Sequence, residues 1–60
     1  MPVYRLYFLD LKDHIHNALE LDCGDDAHAI ETAAAQRDSR TMELWLRDRL
    51  VQRFEAGGDV

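Results

Sequence analysis

The chain has 60 residues, of which 47% are hydrophobic and 32% are charged, and its formal net charge at pH 7 is −5. This length predicts one small domain that hides only about 60% of the surface its unfolded chain exposes, so self-association is a ready source of added stability. The negative charge disfavours a broad phosphate-binding surface.

Cys23 is the only cysteine, which excludes a disulfide within the chain and favours a reducing compartment. The apolar amino-terminal run has no basic leader, is interrupted by Arg5 and ends at Asp10. Such a run is neither a signal peptide nor a membrane span. We therefore expect a soluble cytoplasmic protein.

Two stretches of alternating apolar residues, 3–9 and 15–23, begin the chain. The first is apolar on both faces, as is typical of a central strand, and the second alternates apolar with polar residues, as is typical of an edge strand. Residues 10–13 predict a turn because aspartates tolerate turn backbone angles. One face is expected to carry Tyr4, Leu6, Phe8, Ile15, Asn17, Leu19, Leu21 and Cys23.

Asp25 and Asp26 predict the start of a helix, because an aspartate can accept bonds from unpaired N–H groups and its charge suits the helix dipole. The alanine-rich run that follows is expected to remain helical to about Arg37. Its small side chains would let the helix lie close to a sheet. The stripe expected to face that sheet consists of Ala27, Ile30, Ala33 and Ala34.

Residues 41–46 and 49–54 predict two further strands, joined by a two-residue turn at Arg47 and Asp48. A hairpin of this kind pairs Trp45 with Leu50, and directly paired residues share a face. The face toward the helix would then carry Met42, Leu44, Leu46 and Val51. The opposite face would carry Glu43, Trp45, Leu50, Gln52 and Phe54.

A right-handed crossover through the helix makes the second and third strands parallel to each other. With the first strand between them, every adjacent pair is antiparallel. The sequence therefore predicts an α+β fold of two layers, ββαββ, in which one helix covers a four-stranded antiparallel sheet of order 2-1-3-4. Residues 1–55 would form this domain and residues 56–60 a flexible tail.

Several short motifs occur along the chain: Met1-Pro2-x-Tyr4 with Asp10, Glu20-Leu21 before the acidic helix start, Met42-Glu43-Leu44, and Arg49-Leu50-Val51 with Phe54. Together they resemble a family of short alphaproteobacterial proteins of unknown function. The resemblance covers residues 1 to about 55, although family members usually have a longer helix and a glycine in the final turn, where this chain has Arg47 and Asp48. It implies no activity and no catalytic residue.

The residue types that could support chemistry are poorly arranged for it. His14, His16 and Cys23 with a nearby aspartate suit zinc by type, but the histidines and the thiol point to opposite faces. Adjacent aspartates at a helix start are ordinarily caps. The sequence contains neither a nucleophile–base–acid arrangement nor a glycine-rich phosphate loop. We therefore expect no catalytic residue, no cofactor and no metal, and a protein that is not an enzyme.

The sheet face opposite the helix is the best candidate for function, because the one predicted helix covers only the other face. A small homodimeric structural or interaction protein is the first hypothesis, since Trp and Tyr are common anchors of interfaces. An adaptor or inhibitor that binds another protein is the second, with nucleic-acid mimicry suggested by seven acidic residues against one lysine in residues 10–31. The predicted interface consists of Val3, Tyr7, Trp45, Leu50 and Phe54.

Single-stranded nucleic-acid binding is the third hypothesis. Tyr7 and Trp45 would stack on bases, and arginines would contact phosphates. The acidic net charge makes nucleic acid the least favoured partner. The arginines considered for this role are Arg5, Arg47, Arg49 and Arg53.

Overall fold

The structure, a computed structural model, describes residues 2–37 and 40–55. The four strands form one antiparallel sheet in the order β2-β1-β3-β4, so the predicted fold class and strand order are confirmed. The predicted tail, residues 56–60, lies outside the described residues. The elements are β1 (Val3–Leu9), β2 (Ile15–Asp22), α1 (Asp26–Ala34), β3 (Thr41–Leu46) and β4 (Arg49–Phe54).

The hydrophobic core lies between α1 and one face of the sheet. Leu6, Met42 and Leu44, from the two central strands, are completely buried there. Leu21, Ile30, Leu46 and Val51 pack around its margin. The buried cluster consists of Tyr4, Leu6, Phe8, Cys23, Ala29, Ala33, Met42, Leu44 and Phe54.

We call the other side of the sheet the open face. Its members follow from the alternation along β1 and from the pairing of each strand with its neighbour, because paired residues share a face. The open face carries Val3, Arg5, Tyr7 and Leu9 of β1, Ile15, Ala18, Glu20 and Asp22 of β2, Thr41, Glu43 and Trp45 of β3, and Leu50 and Arg53 of β4.

The predicted turn between β1 and β2 is confirmed. The side chain of Asp10 accepts hydrogen bonds from the backbone N–H groups of Lys12 (2.8 Å) and His14 (2.9 Å). These bonds hold the pKa of the Asp10 carboxyl below its usual value. Asp13 has a φ of 61°, a conformation that aspartate tolerates better than most residues.

Asp25 caps α1, as predicted, because its side chain accepts a 2.8 Å hydrogen bond from the N–H of His28. The helix ends at Ala34, earlier than the predicted end near Arg37. Beyond Ala34 the hydrogen bonds span three residues, as in a 3₁₀ turn. The N–H of Gln36 donates to the carbonyl of residue 33, and that of Arg37 to the carbonyl of residue 34.

The helix face against the sheet differs from the predicted stripe. Ala29 and Ala33, four residues apart, are completely buried, whereas Ala27 and Ala34 are exposed. The prediction was wrong for these two because alanine occupies so many helix positions that composition alone does not distinguish one face from another.

A bulge in β2 moves Ile15 to the open face. Phe8 pairs with Asn17, but Leu9 pairs with Ile15, so His16 is an extra residue in the ladder. The prediction that Ile15 shares a face with Leu19 and Leu21 was therefore wrong for Ile15.

A second bulge, at Val51 in β4, moves Phe54 to the core. Trp45 pairs with Leu50 as predicted, but Leu44 pairs with Gln52 and Met42 with Phe54. Because one inserted residue exchanges the faces beyond it, Phe54 lies with Met42 against the core and is only 8% exposed. The predicted positions of Gln52 and Phe54 on the face opposite the helix were thus wrong.

Truncation of Phe54 tests this shifted register. We expect Phe54→Ala to lower the free energy of unfolding by about 3 kcal/mol, because it removes a buried ring and leaves a cavity. Gln52→Ala, at an exposed position of the same strand, should change it by less than about 0.5 kcal/mol. Urea unfolding followed by tryptophan fluorescence measures both, with Phe54→Leu as a milder core variant. Equal effects at positions 52 and 54 would contradict the register.

Candidate functional site

Trp45 lies near the middle of the open face. In the sheet it is flanked by Arg5 of β1 and Leu50 of β4. The indole N–H donates a 3.1 Å hydrogen bond to Glu43, two residues earlier on the same strand. The polar edge of the indole is thus satisfied within the chain, while the half-buried ring contributes apolar surface to the open face.

Four of the five predicted interface residues, Trp45 among them, lie on the open face. Val3 and Leu50 are each 44% exposed. Tyr7 and Trp45 are half-buried. The fifth, Phe54, belongs to the core on the other side of the sheet. The open face therefore presents a partly exposed apolar patch, which we define as Val3, Tyr7, Trp45 and Leu50.

Leu9 and Ile15 extend the apolar character of the open face toward the β1–β2 turn. They form a cross-strand pair. Leu9 is only 5% exposed, whereas Ile15 is largely exposed at the sheet edge. The sequence prediction missed Ile15 as a member of this face because the bulge at His16 carries no glycine or proline signal.

Ion pairs lie within and beside the apolar patch. Arg53 binds the carboxylates of Glu43 and Glu55, the latter at 2.8 Å, and lies 3.6 Å from that of Asp13. Glu55 and Glu43 raise the pKa of Arg53, with the hydrogen bond to Glu55 as the largest cause. Within the patch, Arg5 lies between Val3 and Tyr7 on β1 and pairs with Glu20 at 3.3 Å. The apolar side chains of the patch thus alternate with charged side chains whose charges are paired within the chain.

A second polar cluster lies on the helix side, where Tyr4, Asp26 and Arg49 meet. The buried Tyr4 hydroxyl donates a 2.7 Å hydrogen bond to Asp26, and Arg49 donates two bonds, at 3.1 and 3.2 Å, to the same carboxylate. The three residues come from β1, α1 and β4. The sequence predicts a helix cap at Asp26 but not this cluster, because Tyr4, Asp26 and Arg49 are each more than twenty positions apart.

The hydrogen bonds of this cluster have a structural role. The hydrogen bond to Asp26, helped by burial, raises the pKa of Tyr4 to about 12, so the phenol stays protonated. Arg49 and then Tyr4 lower the pKa of Asp26. A phenol activated as a base or nucleophile would need the opposite shift. The cluster therefore fastens the helix start to the sheet.

The histidines and the cysteine are dispersed. Cys23 is buried, with its sulfur 3.9 Å from the hydroxyl of Thr32. His16 is exposed, and its Nδ1 lies 3.1 Å from Arg40. Within residues 2–37 and 40–55 no group of three or more histidine, cysteine or acidic side chains could hold a metal ion. In the same part of the chain, no helix has the length and apolar character needed to cross a membrane.

Comparisons of the chain with family models, with curated proteins and with solved structures find no match. The resemblance to a family of short alphaproteobacterial proteins stays a prediction from the motifs.

The shifted pKa values of Asp10, Asp26 and Tyr4 predict how the free energy of unfolding depends on pH. The lowered pKa values of Asp26 and Asp10 favour folding above pH 4, and this contribution is lost as the pH falls through the folded-state values. The raised pKa of Tyr4 gives a contribution that is complete below pH 10 and is lost as the pH rises toward 12.

Urea unfolding midpoints between pH 9 and 12 separate the Tyr4 contribution. We expect Tyr4→Phe to lower the midpoint at pH 7 and to remove much of the alkaline loss seen in the parent chain. Tyr7→Phe, which changes an open-face hydroxyl, should leave the alkaline loss in place. An alkaline loss that persists in full in Tyr4→Phe would contradict the assignment.

Proposed function

We propose that this chain is a small non-enzymatic interaction protein that forms a homodimer through the open face. The observation that carries the proposal is the apolar patch Val3, Tyr7, Trp45 and Leu50, left partly exposed on the face that α1 does not cover. Two such patches packed together would remove from water the apolar surface that a chain of this size cannot bury alone.

The composition of the open face supports an interface. Trp45 and Tyr7 supply large side chains, and aromatic residues dominate the energetics of many interfaces. Arg5, which lies between Val3 and Tyr7, would enter the interface with its charge already paired with Glu20 at 3.3 Å. The N–H of Trp45 already has an acceptor in Glu43, so burial of the ring would leave no unpaired donor.

The alternatives use the same face and are weaker. An adaptor or inhibitor role would place a different protein on the apolar patch. Nucleic-acid binding loses two of its four candidate cations, because Arg49 is committed to Asp26 and Arg53 to three carboxylates. Stacking on Trp45 without those charges would give little affinity for a polyanion.

The proposal also includes the setting predicted from the sequence, a reducing bacterial cytoplasm. The buried thiol of Cys23 supports this setting, because a single cysteine without a disulfide partner is typical of compartments that keep thiols reduced.

A charge placed in the apolar patch tests the dimer. We expect Leu50→Glu to raise the dimer dissociation constant at least about tenfold, because each dimer would bury two carboxylates without partners. Gln52→Glu adds the same charge to the same strand outside the patch and should change the constant less than about twofold. Sedimentation equilibrium over a wide concentration range measures both, with circular dichroism to verify folding.

Salt dependence distinguishes the dimer from its electrostatic alternatives. Self-association through an apolar patch should change little between low and high salt, whereas an acidic surface that mimics nucleic acid should lose its partner steeply. A parent chain that stays monomeric at high concentration, or equal dissociation by Leu50→Glu and Gln52→Glu, would contradict the proposed dimer.

A further inference from the structure

The turn between β3 and β4 brings an arginine to the amino-terminal end of β1. There the surface forms an open depression of about 450 Å³ on the side of the open face. Two guanidinium groups and a phenol line it, a combination rich in hydrogen-bond donors. The lining residues are Pro2, Val3, Arg5, Tyr7 and Arg47.

The backbone conformation of Arg47 is unusual for its residue type. Its φ is 57°, in the left-handed region where glycine or asparagine is the favoured residue, because a side chain there crowds the backbone. Arg47 is nevertheless present, and its side chain is exposed. Backbone strain kept at one residue is a reason to look for a role of its side chain.

The partners of the arginines strengthen this reasoning. Arg49 and Arg53 are committed to carboxylates, but Arg47 forms no ion pair with any residue that the structure describes. Arg5 pairs with Glu20 at 3.3 Å through one terminal nitrogen, which orients its guanidinium and leaves other donors available. The positive charge at the depression therefore comes from Arg47, with Arg5 beside it.

Tyr7 contributes the wall on the β1 side. Its ring is half-buried, and its hydroxyl has no hydrogen-bond partner among the described residues. A phenol can donate to an anion, as a guanidinium does, so the lining offers donors from three side chains around one concave surface.

We infer that this depression binds a single oxyanion, a carboxylate or a phosphate, held by Arg47 with Arg5 and Tyr7 as further donors. Planar guanidinium groups bind both kinds of oxyanion with paired hydrogen bonds. The net charge of −5 repels a long polyanion, so the ligand is one anionic group on a small molecule.

Nuclear magnetic resonance titrations test the site, with inorganic phosphate and acetate as separate probes and sodium chloride holding the ionic strength constant. We expect saturable shifts of the amide signals of Val3, Arg5, Tyr7 and Arg47, with a dissociation constant of about 1 mM. Arg47→Gly, which suits the positive φ, should weaken binding at least about tenfold by removing the guanidinium. Lys12→Ala removes a positive charge from the distant β1–β2 turn and should change it less than about twofold.

The two probes identify the source of the oxyanion. Saturation by phosphate alone supports a phosphorylated ligand, saturation by acetate alone supports a carboxylate ligand, and saturation by both supports a site that accepts either. No saturable shift with either probe, or a shift that Arg47→Gly leaves unchanged, would overturn the site. Val3 and Tyr7 belong to both the depression and the apolar patch, so self-association would compete with anion binding. Repeating the titration in Leu50→Glu, which should be monomeric and does not alter a lining residue, separates the two: saturable binding there supports the site whether or not the parent chain dimerises.

Discussion

The carboxylate of Asp26 accepts hydrogen bonds from the buried hydroxyl of Tyr4 and from the guanidinium of Arg49. The position of the helix depends on this junction. A helix of nine residues is only about 14 Å long and would be marginal alone. The junction ties its first turn to β1 and β4, while Ala29 and Ala33 let its backbone approach the sheet. One side of the sheet is thereby closed over the core.

Because the helix covers one face of the sheet, the apolar side chains on the other face stay partly exposed. The sheet is four strands wide, and α1 covers only one of its faces, so the open face retains the apolar patch Val3, Tyr7, Trp45 and Leu50. Its charges are mostly paired with each other, as in the group around Arg53. Arg47 differs because it combines a strained backbone conformation with a side chain that has no ion-pair partner in residues 2–37 and 40–55. We propose that the open face is an apolar surface for a second copy and, at the end near Arg47, a site for an anion, with Val3 and Tyr7 shared between the two.

The sequence was sufficient to predict the elements, their order in the sheet and most of the open face, because apolar alternation and capping are local signals. It failed at the bulges at His16 and Val51, since one extra residue reverses the faces beyond it and neither bulge has a glycine or proline to mark it. Phe54 was misplaced for this reason. The Tyr4–Asp26–Arg49 junction was missed because its residues meet only through the tertiary fold.

The central claim is that two copies meet through the open face, and isotope-filtered nuclear Overhauser spectra of mixed labelled and unlabelled chains test it most directly. These spectra detect protons of one copy that lie close to protons of the other. The account predicts contacts between copies from the methyl groups of Val3 and Leu50 and from the rings of Tyr7 and Trp45. Contacts confined to the helix or to the β2 edge, or none at concentrations where a dimer sediments, would contradict it.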